Sequence, residues 1–110
     1  MQISFSQSGE YAVVGVEGRM DTVSAPNFEN QVLTWIDEGR SRFVIDLSKL
    51  EYISSAGLRS LMVAAKTAAA HGGRLCCCGL NGIVQQVFDV SGFSKVLPVF
   101  DSVEVAVDRW

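Results

Sequence analysis

Basic residues, histidine, proline and long apolar runs are all scarce in this chain of 110 residues. Nine Lys and Arg stand against twelve Asp and Glu, for a net charge of -3. Lys49, Lys66 and Lys95 are scattered, so the sequence builds no basic patch for a phosphate backbone or an anionic lipid surface. Nucleic acid and membrane are therefore not expected partners. No uncharged apolar run reaches the roughly 18 residues of a membrane span. The start, Met1-Gln2-Ile3-Ser4-Phe5, lacks the basic and apolar regions of a signal peptide, and the expected location is the cytoplasm. The three cysteines, Cys76, Cys77 and Cys78, are consecutive, which fits neither a redox pair nor a zinc spacing. They read as small buried hydrophobes in a reducing compartment. On a strand, Cys76 and Cys78 would share one face and Cys77 the other. No metal and no cofactor are expected.

What is present is a folded composition. Hydrophobic residues make up 48% and charged residues 19%, which argues against disorder and for a single domain over residues 1–110. Ile3, Phe5 and Gln7 alternate with serines, as in a half-buried strand. After the turn Ser8-Gly9-Glu10, a more apolar strand runs from Tyr11 to Glu17, and the short turn predicts a hairpin. Ser24 reads as a helix N-cap with Pro26 in the first turn. Phe28, Val32 and Ile36 then mark one apolar stripe ending at Gly39.

Phe43 to Leu47 is the third strand, and Ser48 to Ile53 reads as a connection. A second helix is expected from about Ala56 to Ala70, packing through Leu58, Leu61, Met62 and Ala65. Arg74 to Cys78 is the fourth strand. A helix near Gly82 to Val90 follows, with Val84, Val87 and Phe88 inward. Val96 to Phe100 is a short fifth strand that Pro98 marks as an edge. Asp101 and Glu104 read as a capping box for a last helix.

The order β-β-α-β-α-β-α-β-α predicts an α/β fold, a mixed sheet of about five strands with four helices. Ligands and partners of such sheets gather beyond the carboxyl ends of parallel strands. The loops placed there carry Asp21, Ser54-Ser55 and Asn81. Two hydroxyls thus stand where a strand hands over to a helix.

No catalytic residue is expected among them. The surroundings Ile53-Ser54-Ser55-Ala56-Gly57 are not a nucleophile elbow. His71, the one histidine, lies at the far end of the second helix, roughly 20 Å away at 1.5 Å per residue; there it reads as a partner of the last carbonyls. No phosphate loop or dinucleotide fingerprint occurs either. A serine before a helix is also a good N-cap, but one serine suffices, and the second is left to face solvent or a partner.

The run Asp46-Leu47-Ser48, followed by Tyr52-Ile53-Ser54-Ser55-Ala56-Gly57-Leu58, resembles the signature of bacterial anti-sigma-factor antagonists, in the STAS domain family. Gly18-Arg19-Met20-Asp21 and Val87-Phe88-Asp89-Val90-Ser91-Gly92-Phe93 extend the likeness over nearly the whole chain. The resemblance implies partner switching. The unphosphorylated protein binds a serine-protein kinase that doubles as an anti-sigma factor, and the client is released. Phosphorylation of the motif serine breaks the complex, and a serine phosphatase restores it. By position the acceptor is Ser55. Many members have aspartate where this chain has Ser54, which makes Ser54 a rival acceptor, and the following residue, often serine or threonine, is Ala56. The family aspartate after the second strand maps to Asp21, an expected contact or orienting residue. Ala56, Gly57 and Arg59 complete the expected partner surface, with Asn81. Arg59 in the first helical turn opposes the dipole, which suggests that it faces the partner or a phosphate on Ser55. The alternative is a small-molecule or nucleotide-sensing module of the same family, acting by ligand occupancy at the helix amino end. The sequence names neither the client nor the oligomeric state.

Overall fold

The computed structural model describes residues 1–110. Strand β1 (Gln2–Ser8) and strand β2 (Tyr11–Met20) form the expected antiparallel hairpin. Helix α1 (Ala25–Asp37), β3 (Arg42–Asp46), β4 (Leu50–Ile53), α2 (Ser55–Ala70), β5 (Arg74–Cys78), α3 (Gly82–Ser91), β6 (Val99–Phe100) and α4 (Val103–Arg109) follow. The sheet has six strands, with β1-β2-β3-β5-β6 in a row and β4 pairing β2. All pairs except β1–β2 are parallel. The α/β class and the four helices stand as read from the sequence.

The sixth strand is the main correction. Residues 50–53, read as part of a connection, pair with the far end of β2. The register shifts between Gly18 and Arg19, and Gly18 has φ +96°, a conformation that costs a side-chain-bearing residue dearly. This glycine bulge carries β2 past the end of β3 and offers β4 a place to pair. The sequence reading stopped β2 at Glu17, one residue before the glycine that extends it.

Alternation along the central strands sorts the core into two layers. Ala12, Val14, Val16, Phe43, Ile45, Leu75 and Cys77 join α1, α2 and α3 in a cluster of 22 buried residues. Tyr11, Val13, Val44, Cys76 and Cys78 face the other way, under Ala106 of α4. The expected split of the cysteines therefore holds. Burial pushes the Cys76 and Cys78 thiols up to about 12 and raises the fully enclosed Cys77 as well.

Three local expectations change. The most deeply buried face of α2 runs through Gly57, Leu61, Ala64 and Ala68, while Leu58, Met62 and Ala65 pack against the core from its half-buried margin. Alanine sits deepest because the helix lies close to the sheet. The last strand keeps only Val99 and Phe100 of its expected five residues, since Phe93–Lys95 form a single 3-10 turn ahead of it. Finally, α4 is capped by Ser102, whose hydroxyl accepts from Val105 N–H at 3.2 Å, and not by Asp101.

Candidate functional site

The strand-to-helix junction is built around Ser54. Its backbone N–H donates to Met20 O at 2.9 Å, tying the entry of α2 to the end of β2. Its extended backbone (φ -93°, ψ 174°) turns the hydroxyl toward the first helical turn, where it accepts from Gly57 N–H at 3.2 Å. A serine oxygen in that position satisfies a donor the helix cannot use internally. Ser55 is the first residue of α2; it is exposed, and its hydroxyl makes no hydrogen bond within the protein. The adjacent serines thus divide their work: one hydroxyl caps the helix and the other is free.

Gly57 explains how the junction sits so deep. A Cβ there would lie 2.6 Å from Ile53 Cγ1 and 3.0 Å from Met20 O, too near for any side chain. Only glycine lets the amino end of α2 rest on β2 and β4. Gly57 is buried and shapes the surface from beneath. Ala56 is half-buried and packs against the main core.

Asp21 holds the neighbouring turn. Its Oδ1 accepts from Val23 N–H at 3.1 Å and Ser24 N–H at 3.0 Å. The hydrogen bonds from Ser24, backbone first and then hydroxyl, with those from Val23 and the charge of Arg19, keep the carboxyl below the usual aspartate range. Ser24 occupies the N-cap position of α1 but does not cap it. Its hydroxyl lies 2.8 Å from Arg19 O and 3.0 Å from Asp21 Oδ1 and accepts from Asp21 N–H at 2.9 Å, so it closes the turn. The turn raises Val23, which is 85% exposed. Beside it the Arg19 guanidinium lies 4.3 Å from the centre of the Tyr52 ring, a cation–π contact that joins the tips of β2 and β4.

Asn81 lies on the expected loop, between β5 and α3. Its amide donates to Ser48 O at 2.8 Å, and no hydrogen bond joins it to the serine pair. It fastens the β5–α3 loop to the β3–β4 loop. Arg59 is exposed on α2 and forms no ion pair, the two pairs of the protein being Arg40–Glu38 and Arg42–Glu10.

The sequence reading missed the wall next to Ser55. Leu58 of α2 and Gln86, Val87, Val90 and Ser91 of α3 enclose with Ser55 an open dish of about 350 Å³. Val90 is 89% exposed and Ile83 is also exposed. Ile83, Val87 and Val90 fall at i, i+4 and i+7, a second apolar stripe on α3 besides the inward Val84 and Phe88. That spacing was the available signal. Assigning Val87 inward hid it: Val87 does pack against the main core, but it is only half-buried and also borders the dish. The free hydroxyl therefore stands at the amino end of a helix, where negative charge is favoured, beside exposed aliphatic surface with no charge in its lining. Such an arrangement suits a protein partner better than a small polar substrate.

Comparison with known proteins agrees with that class. The profile of the STAS domain matches residues 2–106, and the chain belongs to the STAS domain family. Its relatives there are named as anti-sigma factor antagonists. BtrV of Bordetella bronchiseptica, named as a candidate anti-sigma factor antagonist, is 34% identical over 106 residues, covering 96% of this chain and 91% of BtrV. A crystal structure of another such candidate, from Thermotoga maritima, superposes with a TM-score of 0.90 at 17% identity, over 96% of this chain and 92% of that one. The antagonist SpoIIAA in its unphosphorylated form gives a TM-score of 0.83 at 20% identity, over 98% and 95% of the two chains. No helix is long and apolar enough to cross a membrane.

Proposed function

We propose that this protein is a phosphorylation-controlled binding module and not an enzyme. In its unphosphorylated state it binds, in the cytoplasm, a serine kinase that also sequesters a sigma factor or another client, and binding frees the client. Ser55 is the acceptor, and a serine phosphatase resets the switch. The observation that carries this reading is the contrast between the adjacent hydroxyls: Ser54 is committed to Gly57 N–H, while Ser55 is exposed and unbonded. Family membership and the antagonist names of the relatives support it.

The physics of the switch is local. A phosphoserine carries about -1.5 to -2 charges at pH 7. At the first residue of α2, with no acidic side chain in that turn, the helix end accommodates it. The fold need not change. Against a docked partner the same charge loses its water next to Leu58, Val87 and Val90, and several kcal/mol of mismatch corresponds to about a hundredfold or greater loss of affinity. In this reading Arg59, exposed and without an ion pair, contacts the partner, as do Asp21 and its turn.

Phosphosite mapping of the protein recovered from its own cells, before and after phosphatase treatment, tests the reading. A single phosphatase-sensitive phosphate on Ser55 is the expected result. A phosphate confined to Ser54, or none under any growth condition, refutes it.

A further inference from the structure

The sheet ends differently at its two edges. On one side β6 is two residues long and follows Pro98, a short edge of the kind that resists further pairing. On the other, β1 runs seven residues from Gln2 to Ser8 and pairs on one side only. Its register with β2 is unbroken from Gln2↔Glu17 to Ser8↔Tyr11, so no bulge twists it away. It holds no proline and no charged residue. Short length, a bulge, proline and charge within the strand, four devices that keep an edge strand from adding another, are all missing. A second observation lies on the same rim. Phe5, the middle residue of β1, is 36% exposed. Its ring centre is 4.9 Å from that of Trp35 on α1, and the Arg40 guanidinium covers the ring at 4.8 Å. A free main-chain ladder and a partly exposed aromatic pair thus share one edge.

We propose that β1 pairs with β1 of a second copy of this chain, antiparallel about a two-fold axis, to form one continuous sheet. The strand itself selects that occupant. Two-fold pairing of identical strands is antiparallel and self-complementary, and a strand neutral along its whole length opposes no like charges when it meets itself. A charged strand from elsewhere would find no counter-charge on it. With Phe5 at the midpoint, the symmetric register brings the two Phe5–Trp35 pairs together across the axis, on the face that carries α1. The nearby charges are already satisfied within each copy, Glu10 by Arg42 and Glu38 by Arg40. One strand edge and one aromatic pair bury less than the roughly 1,200–2,000 Å² of a stable interface. The association is therefore weak and depends on concentration.

Sedimentation equilibrium of the whole chain, from low micromolar to near-millimolar concentration, reads the proposal directly. The apparent mass should rise from the 11.9 kDa of one chain toward twice that value. Ser6 is exposed on β1. Ser6→Lys and Ser6→Asp should each weaken self-association at least about tenfold, near 1.4 kcal/mol, and an equal mixture of the two should restore it. A wild type that stays at the single-chain mass throughout overturns the proposal, whatever other strand the edge accepts. So do variants that associate as the wild type does, or a mixture no better than its parents. Circular dichroism and thermal melts establish that the variants fold. Should either fail to fold, hydrogen exchange on the wild type decides instead: protection of β1 amides must rise with concentration, and concentration-independent exchange refutes the pairing.

Discussion

Replacing Ser54 and Ser55 one at a time separates structure from signal. Ser54→Ala deletes the oxygen that accepts from Gly57 N–H at 3.2 Å, and losing such a cap costs about 1 kcal/mol. For a chain of this size that lowers the melting temperature by about 4 °C or somewhat more. Ser55→Ala removes an exposed hydroxyl with no partner, and such changes stay within about 0.5 kcal/mol. Ser54→Asp keeps an oxygen acceptor and adds a negative charge at a helix amino end, so its melting temperature should match the wild type or exceed it. Phosphate incorporation should show the opposite pattern. Ser54→Ala and Ser54→Asp still accept phosphate at temperatures where they are folded, and Ser55→Ala does not. Thermal melts by circular dichroism and intact mass after incubation with the kinase supply both readouts. The reasoning fails if Ser55→Ala is as destabilised as Ser54→Ala, or if the folded Ser55→Ala protein still takes up phosphate while Ser54→Ala does not.

Gly57→Ala gains about 1 kcal/mol in helix propensity but forces a Cβ to 3.0 Å from a backbone carbonyl. A crowding cost of about 1–3 kcal/mol should leave a net loss, seen as a lower denaturant midpoint; a midpoint at or above the wild type would show that α2 can lift off β4 freely. Val90→Asp places a charge on a residue that is 89% exposed, so its stability should be unchanged within about 0.5 kcal/mol, while partner affinity in a pull-down or titration falls about tenfold or more. The cysteines predict a pH dependence. Burial holds the Cys76 and Cys78 thiols up at about 12 in the folded state and raises Cys77 as well, against about 8.5 when unfolded. Above that lower value the folded chain binds more protons than the unfolded one, so stability must fall as pH rises, by about 1.4 kcal/mol per unit for each thiol concerned. Urea titrations between pH 8 and pH 10 would contradict this if the midpoint held constant or rose.

Much of this architecture was legible in the sequence because its signals were local and strong. Val13-Val14-Gly15-Val16 and Phe43-Val44-Ile45 announce buried strands, and Ser54-Ser55 before an alanine-rich helix announces a displayed hydroxyl. What escaped depended on contacts between distant residues. Leu50-Glu51-Tyr52-Ile53 is a strand only because the bulge at Gly18 prolongs β2 to meet it. The dish beside Ser55 exists because α3 packs along β4, which brings Val87 and Val90 to a helix far away in sequence. Asn81 sits on the expected loop, yet its amide turns to Ser48, a choice that no spacing rule encodes. The free hydroxyl could be read; its neighbours needed the fold.

The second, smaller core has a consequence for how the protein breathes. Helix α4 is seven residues long, far too short to persist alone in water. It stays in place through Ala106 in a six-residue cluster and through Trp110, whose ring stacks on Tyr11 at 5.7 Å and lies 4.5 Å from the Arg74 guanidinium. That lid can detach while the larger core on the opposite side of the sheet remains intact, at a free energy below that of global unfolding. Cys76 and Cys78 lie directly beneath it and Cys77 does not. Thiol labelling in native buffer would therefore run at two speeds, with the outer pair timing the opening of the lid and the middle cysteine timing the loss of the whole fold.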